Sequence, residues 1–135
     1  MNIVIIDGQG GRLGALICEE LKRAFPDMQL LAIGTNSVAT AAMLKGGADL
    51  GATGENPVIV AARDADVIIG PIGILAADSM LGEVTPAMAL AVGQANVPKL
   101  LLPVNHCNNV VIGVKDLSLA KLAAETVDTL RTLLV

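Results

Sequence analysis

Four consecutive apolar residues, Ile3-Val4-Ile5-Ile6, run straight into Asp7 and the glycine-dense stretch Gly8-Gln9-Gly10-Gly11-Arg12-Leu13-Gly14. A run without polar alternation fits a strand buried on both faces, and the glycines let the chain bend sharply into a helix. This order is the opening of a βαβ unit of the kind that binds nucleotides. Glycines there admit a phosphate to the backbone, while the free N–H groups and positive dipole end of the following helix attract it. Gly8, Gly10, Gly11 and Gly14, with Gln9 among them, are placed to do so; the other reading is that these glycines only allow a tight turn.

The rest of the chain repeats the alternation. Arg12 to Phe25 carries Leu13, Ile17, Leu21 and Ala24 at helical spacing, and Pro26-Asp27 ends the helix. Met28 to Ile33 reads as a second strand, Ser37 to Lys45 as a helix of small residues closed by Gly46-Gly47, and Asp49 to Ala52 as a short third strand. Val58 to Arg63 reads as a short helix, with Asn56 as N-cap and Pro57 as first helical residue. Val67 to Ile69, Lys99 to Leu102 and Val110 to Val114 predict a fourth, fifth and sixth strand. Thr85-Pro86 starts a helix to about Gln94, and apolar residues from Leu119 to Leu134 repeat at helical spacing behind Asp116 or Ser118 as cap. Strands alternating with helices predict a three-layer, doubly wound α/β domain over residues 1–135. Its mainly parallel sheet should have five or six strands and right-handed crossovers.

Composition narrows what such a domain can do. Its 135 residues suit one domain and exclude a cofactor domain with a separate substrate domain. Hydrophobic residues make up 53% and charged ones 16%, so polar cover is scarce and a homo-oligomer is expected. Helix 86–94 carries no charge on any side and is the expected subunit interface. A net charge of −4, one Phe and no Tyr or Trp exclude a basic or base-stacking nucleic-acid surface. The longest uncharged runs, Val84 to Pro98 and Leu100 to Val114, are too short to span a bilayer. Without a signal-peptide pattern or a framework of cysteines, the chain reads as cytoplasmic, with Cys18 and Cys107 as reduced thiols.

In such a sheet ligands lie outside the carboxyl ends of the strands, and the polar residues gather there. Thr35 and Asn36 follow the second strand, where dinucleotide folds carry an acidic residue for the ribose hydroxyls. A small polar pocket at that point suits a 2′-phosphate and so favours NADP over NAD, or another ligand altogether. Gly70 and Gly73 would face the base or nicotinamide side. Asp7 opposes a phosphate at the loop, since like charges about 4 Å apart repel by roughly 4 kcal/mol at an effective dielectric near 20. Its carboxylate has three readings: acceptor for the loop's own N–H groups, contact to a ligand hydroxyl, or general base.

His106 is the one side chain whose ordinary pKa suits proton transfer near neutrality, and Cys107 sits beside it. Glu55, in a glycine-flanked loop, is an acid or ribose contact in one reading and a charge at a helix start in the other. No spacing supports a metal site. His106, Asp7 and Glu55 are thus the candidate catalytic residues, but no particular reaction follows from them.

The loops Ile-Asp-Gly-Gln-Gly-Gly at 6–11, Gly-Thr-Asn-Ser at 34–37, Gly-Ala-Thr-Gly-Glu-Asn at 51–56 and Gly-Pro-Ile-Gly at 70–73 resemble a small bacterial family catalogued as a domain of unknown function. That resemblance covers nearly the whole chain, implies a standalone cytoplasmic bacterial protein, and transfers no catalytic residue. The first 50 residues resemble, more distantly, the cofactor-binding half of Rossmann proteins, which implies Gly8, Gly10 and Gly14 as dinucleotide-loop glycines. The expected function is binding of a nucleotide-type or other phosphorylated small molecule, NAD or NADP among them. The alternative is a metabolite-sensing or assembly module without catalysis.

Overall fold

The computed structural model describes residues 1–104 and 108–135. In it the apolar opening run becomes the middle strand of the sheet. The elements in chain order are β1 (Ile3–Asp7), α1 (Arg12–Ala24), β2 (Leu30–Gly34), α2 (Ser37–Lys45), β3 (Leu50–Thr53), α3 (Glu55–Asp64), β4 (Val67–Pro71), α4 (Pro86–Gln94), β5 (Lys99–Leu102) and α5 (Leu119–Leu133). A single 3-10 turn, Ile72–Leu75, follows β4. The five strands form one parallel sheet in the order β3-β2-β1-β4-β5.

Residues along β1 alternate between two cores, which explains why none of them is polar before Asp7. Ile3 and Ile5 point into a layer with Leu13, Ile17 and Leu21 of α1, Met43 of α2 and Leu130 of α5. Val4 and Ile6 point the other way, toward Val58 and Ala62 of α3 and Met88 and Val92 of α4. The sheet is therefore sandwiched between α1, α2 and α5 on one face and α3 and α4 on the other, a three-layer α/β architecture of Rossmann-like type. The chain winds outward from β1 through β2 to β3, then returns to place β4 on the far side of β1, with Ile3 opposite both Leu30 and Val67. The loops after β1 and β4 thus flank the point where strand order reverses.

Two expectations from the sequence change. Val110 to Val114 is not a strand: Val110 is 83% and Ile112 90% exposed, and Gly113 turns through φ +85°. A β-branched run has strand propensity only where a neighbour and a buried face receive it, and neither does here. Helix α3 begins at Glu55, earlier than expected, with Gly54 in the N-cap position and no capping side chain. Pro57 then lies within the first turn, where its missing N–H costs nothing, and Asn56 is part of the helix and not its cap. Helix α4 does have a solvent side, formed by Pro86, Leu90, Gly93 and Gln94, opposite buried Met88, Ala89 and Val92.

Ile5→Ala, at the centre of the sheet, should lower the unfolding free energy by about 2–5 kcal/mol in urea titrations. Val110→Ser should change it by no more than about 0.5 kcal/mol, because the side chain is already in solvent.

Candidate ligand site

Asp7 ends β1 with its carboxylate 2% exposed. The Gly8 N–H donates to its Oδ1 at 2.8 Å and the Gly14 N–H to its Oδ2 at 2.7 Å. Gly14 lies in the first turn of α1, whose own N-cap residue, Gly11, has no side chain to offer and sits at φ +72°. Asp7 therefore caps the helix from across the loop. Burial raises its pKa, the Gly14 and Gly8 N–H bonds pull it down, and the nearby Glu83 carboxylate adds to the rise. Of the readings open in the sequence, acceptor for the loop's own N–H groups is the one this geometry displays.

Glu83 joins the site with no sequence motif to mark it. It lies in the turn-rich segment 76–84 between the 3-10 turn and α4, and its Oε1 is the meeting point of three donors. The Gln9 N–H reaches it at 2.8 Å, Thr35 Oγ1 at 2.7 Å and Asn36 Nδ2 at 2.7 Å. Partial burial would raise its pKa, but the hydrogen bonds from Gln9, Thr35 and Asn36 outweigh this and hold it below the ordinary 4.5. A carboxylate therefore does stand at the end of β2, delivered from the loop before α4. The segment is pinned by buried Ser79, Met80 and Val84, with Ser79 Oγ donating to the Gly73 carbonyl. Asp78, Met80 and Leu81 all adopt positive φ. The one sequence signal is compositional: Asp78 and Glu83 are the sole charges from residue 67 to 98.

A cleft of about 330 Å³ opens on the other side of the glycine loop, lined by Asp7 to Leu13, Val104 and Leu119. Among the described residues the N–H groups of Gly10, Arg12 and Leu13 have no hydrogen-bond partner, and the exposed Arg12 guanidinium has no ion pair. The glycines around it differ in why they are glycine. A Cβ on Gly8 would lie 2.5 Å from Thr35 Oγ1 and 2.7 Å from Met80 Sδ, and one on Gly14 2.5 Å from Met43 Sδ and 2.9 Å from Asp7 Cβ. Those two are small so that the protein can pack on itself. Among the described residues a Cβ on Gly10 meets nothing within 4 Å, so they impose no such limit there.

The structure thus gathers Asp7, Gly8, Gln9, Gly10, Gly11, Gly14, Thr35 and Asn36 around one loop. Gly70 and Gly73 are buried, and a Cβ on Gly70 would collide with the Ile6 carbonyl oxygen, so neither is an open wall for a base. Glu55 is drawn elsewhere: its Oε1 accepts from Thr85 Oγ1 at 2.6 Å, and Thr85 caps α4 by accepting the Met88 N–H. His106 and Cys107 lie outside the described residues. Cys18 is fully buried among Leu13, Ile17 and Leu21, and burial, with Asp7, Asp49 and Glu19 nearby, pushes its thiol up to about 12. It is a core thiol, inert near neutrality.

Comparison with known proteins places the chain in a family but adds no activity. The family model "Domain of unknown function (DUF3842)" matches residues 2–135. No curated protein matches the chain. Among solved structures, a dodecameric FMN-dependent UbiX-like decarboxylase from Escherichia coli is 14% identical, with 97% of this chain and 95% of that chain covered and a TM-score of 0.49. At that level the likeness is one of outline. No described helix is long and apolar enough to cross a membrane.

Gly14→Ala should cost about 1–3 kcal/mol of stability through overpacking, and Gly10→Ala no more than about 0.5 kcal/mol, both read from urea unfolding. The Glu83 charge should show a pH signature. Its folded pKa lies below its unfolded value of 4.5, so its contribution is present above that pH and is lost as pH falls through the lowered folded value. Glu83→Gln should therefore be less stable than the parent at neutral pH, with the gap closing in acid.

Proposed function

The chain belongs to the DUF3842 family of domains of unknown function, and from the geometry of its site we propose that it binds a small phosphorylated metabolite of nucleotide type at the C-terminal end of β1. The observation that carries this reading is the cleft beside Gly10, where, among the described residues, N–H groups at the start of α1 and the Arg12 guanidinium have no partner. Such N–H groups, together with the positive end of the helix dipole, suit a phosphate. Gly10 lets the ligand approach the backbone closely, and this is the use that explains its lack of a side chain. Asp7, with both oxygens engaged by the protein, holds the loop in place and leaves the phosphate to the N–H groups beyond it.

The size of ligand follows from Glu83. Its carboxylate stands against Thr35 and Asn36, where the ribose of a dinucleotide's adenosine half would lie. A mononucleotide-sized or smaller phosphate fits the open cleft as it stands, whereas NAD or NADP requires Glu83 to leave. The absence of any charge on α4's outer side, with Leu90 58% exposed, supports a subunit contact there.

Thermal shift and calorimetry against AMP, ATP, FMN, NAD, NADP and inorganic pyrophosphate test the binding reading. A true ligand at about 100 times its dissociation constant should stabilise the protein by roughly 2.7 kcal/mol. Arg12→Ala and Gly10→Val should each weaken that ligand about tenfold or more while leaving the ligand-free melting temperature nearly unchanged. A ligand indifferent to both substitutions would remove the reading. Leu90→Glu should lower the solution mass if α4 joins subunits, and an unchanged mass would exclude that contact.

A further inference from the structure

Beyond the cleft, the glycine loop has a second set of polar donors on its other side, and that set is already filled. Gln9 N–H, Thr35 Oγ1 and Asn36 Nδ2 come from two different loops and converge on a single oxygen, Glu83 Oε1, at 2.7–2.8 Å. Donors converging from separate elements on one point form an oxyanion pocket, and here the oxyanion belongs to the protein. Asn36 is held in position from both ends of its amide. Its Oδ1 caps α2 by accepting the Ala39 N–H, which leaves Nδ2 to donate to Glu83 and to the Gln9 carbonyl. Glu83 Oε2 has no hydrogen-bond partner among the described residues.

We propose that Gln9, Thr35 and Asn36 form an oxyanion subsite for which Glu83 is an internal stand-in ligand, and that a phosphate oxygen of the bound metabolite takes the subsite by displacing the Glu83 carboxylate. The proposal extends the binding reading above but uses donors distinct from the Gly10 and Arg12 side of the loop. Displacement exchanges one anion for another, so the three donors are never left unpaired, and the repulsion that a phosphate would meet from Glu83 in place is relieved. Met80 and Val84 are buried and anchor the segment on both sides of Glu83, while Glu83 itself is only half-buried, so rotation of its side chain is the motion that would release the subsite. A ligand with one phosphate uses the open cleft, while one with two phosphates or a phosphorylated ribose reaches across the loop into both.

The test is calorimetric titration of inorganic pyrophosphate into the parent protein, Glu83→Ala and Glu83→Gln, with melting curves confirming that each is folded. Removing the internal ligand should tighten pyrophosphate binding about tenfold or more, equivalent to about 1.4 kcal/mol or above. The gain should be lost when Thr35→Val is added. Equal or weaker binding by a folded Glu83→Ala overturns the proposal. If that variant does not fold, the isosteric Glu83→Gln decides on the same criterion. The two readings separate cleanly. Binding that depends on Arg12 but ignores both Glu83 variants removes the subsite alone. Binding that appears in Glu83→Ala, depends on Thr35 and ignores Arg12 keeps the subsite and removes the cleft reading. No binding by any of these proteins removes both.

Discussion

Asp7 carries a carboxylate at the end of the middle strand, almost entirely out of water, with the Gly8 and Gly14 N–H groups as its partners. The rest of the site depends on that arrangement. By capping α1 from the preceding strand, Asp7 fixes the direction in which the helix leaves the sheet and draws the glycine loop into a tight arc. Along the arc the Gln9 N–H donates to Glu83, while those of Arg12 and Leu13, beside the cleft, have no partner among the described residues. Burying an acid is costly, and the raised pKa of Asp7 records it. The cost is tolerable because hydrogen bonds from the backbone replace those from water.

One loop thereby acquires two unlike sides. Toward α5 it borders a cleft whose N–H donors have no partner among the described residues, and toward α2 it presents donors already satisfied by Glu83. The glycines follow this division. Gly8 lies under Met80 and Thr35, Gly14 presses on Met43, and Gly10 alone of the three faces empty space. A glycine-rich loop is thus not uniform evidence for a phosphate: Gly8 and Gly14 serve the packing of the fold, and Gly10 is not held small by any described neighbour.

How much of this is legible in the sequence follows from the range of the interactions. The four-residue apolar run of β1, the small-residue helix α2 between Ser37 and Lys45, and the Thr85-Pro86 start of α4 are all readable, because burial pattern and capping are local properties. The grouping of Asp7, the glycines, Thr35 and Asn36 is readable too, since it follows from strand ends in a parallel sheet. Glu83 is not, because its partners are 47, 48 and 74 residues away and no local pattern connects them. Val110 to Val114 misleads for the converse reason: its composition suits a strand, but a strand also requires a partner that sequence composition cannot supply. Glu55 draws notice for its loop, while its hydrogen bond runs to Thr85 at the start of a different helix.

The seam between β1 and β4 has a consequence for how the molecule assembles. Ile3 pairs with Val67, so the second half of the sheet can be added only after the chain has returned across the whole of the first. The first half, β1 to β3, pairs strands much closer in sequence and has the shorter loops to close. Pairing β4 with β1 closes the longest loop between neighbouring strands of the sheet, 64 residues from Ile3 to Val67. The glycine loop and Asn36 belong to the early half, and Glu83 arrives with the late one. Since Glu83 follows Gln9, Thr35 and Asn36 in the chain, the three donors are synthesised before the carboxylate that covers them.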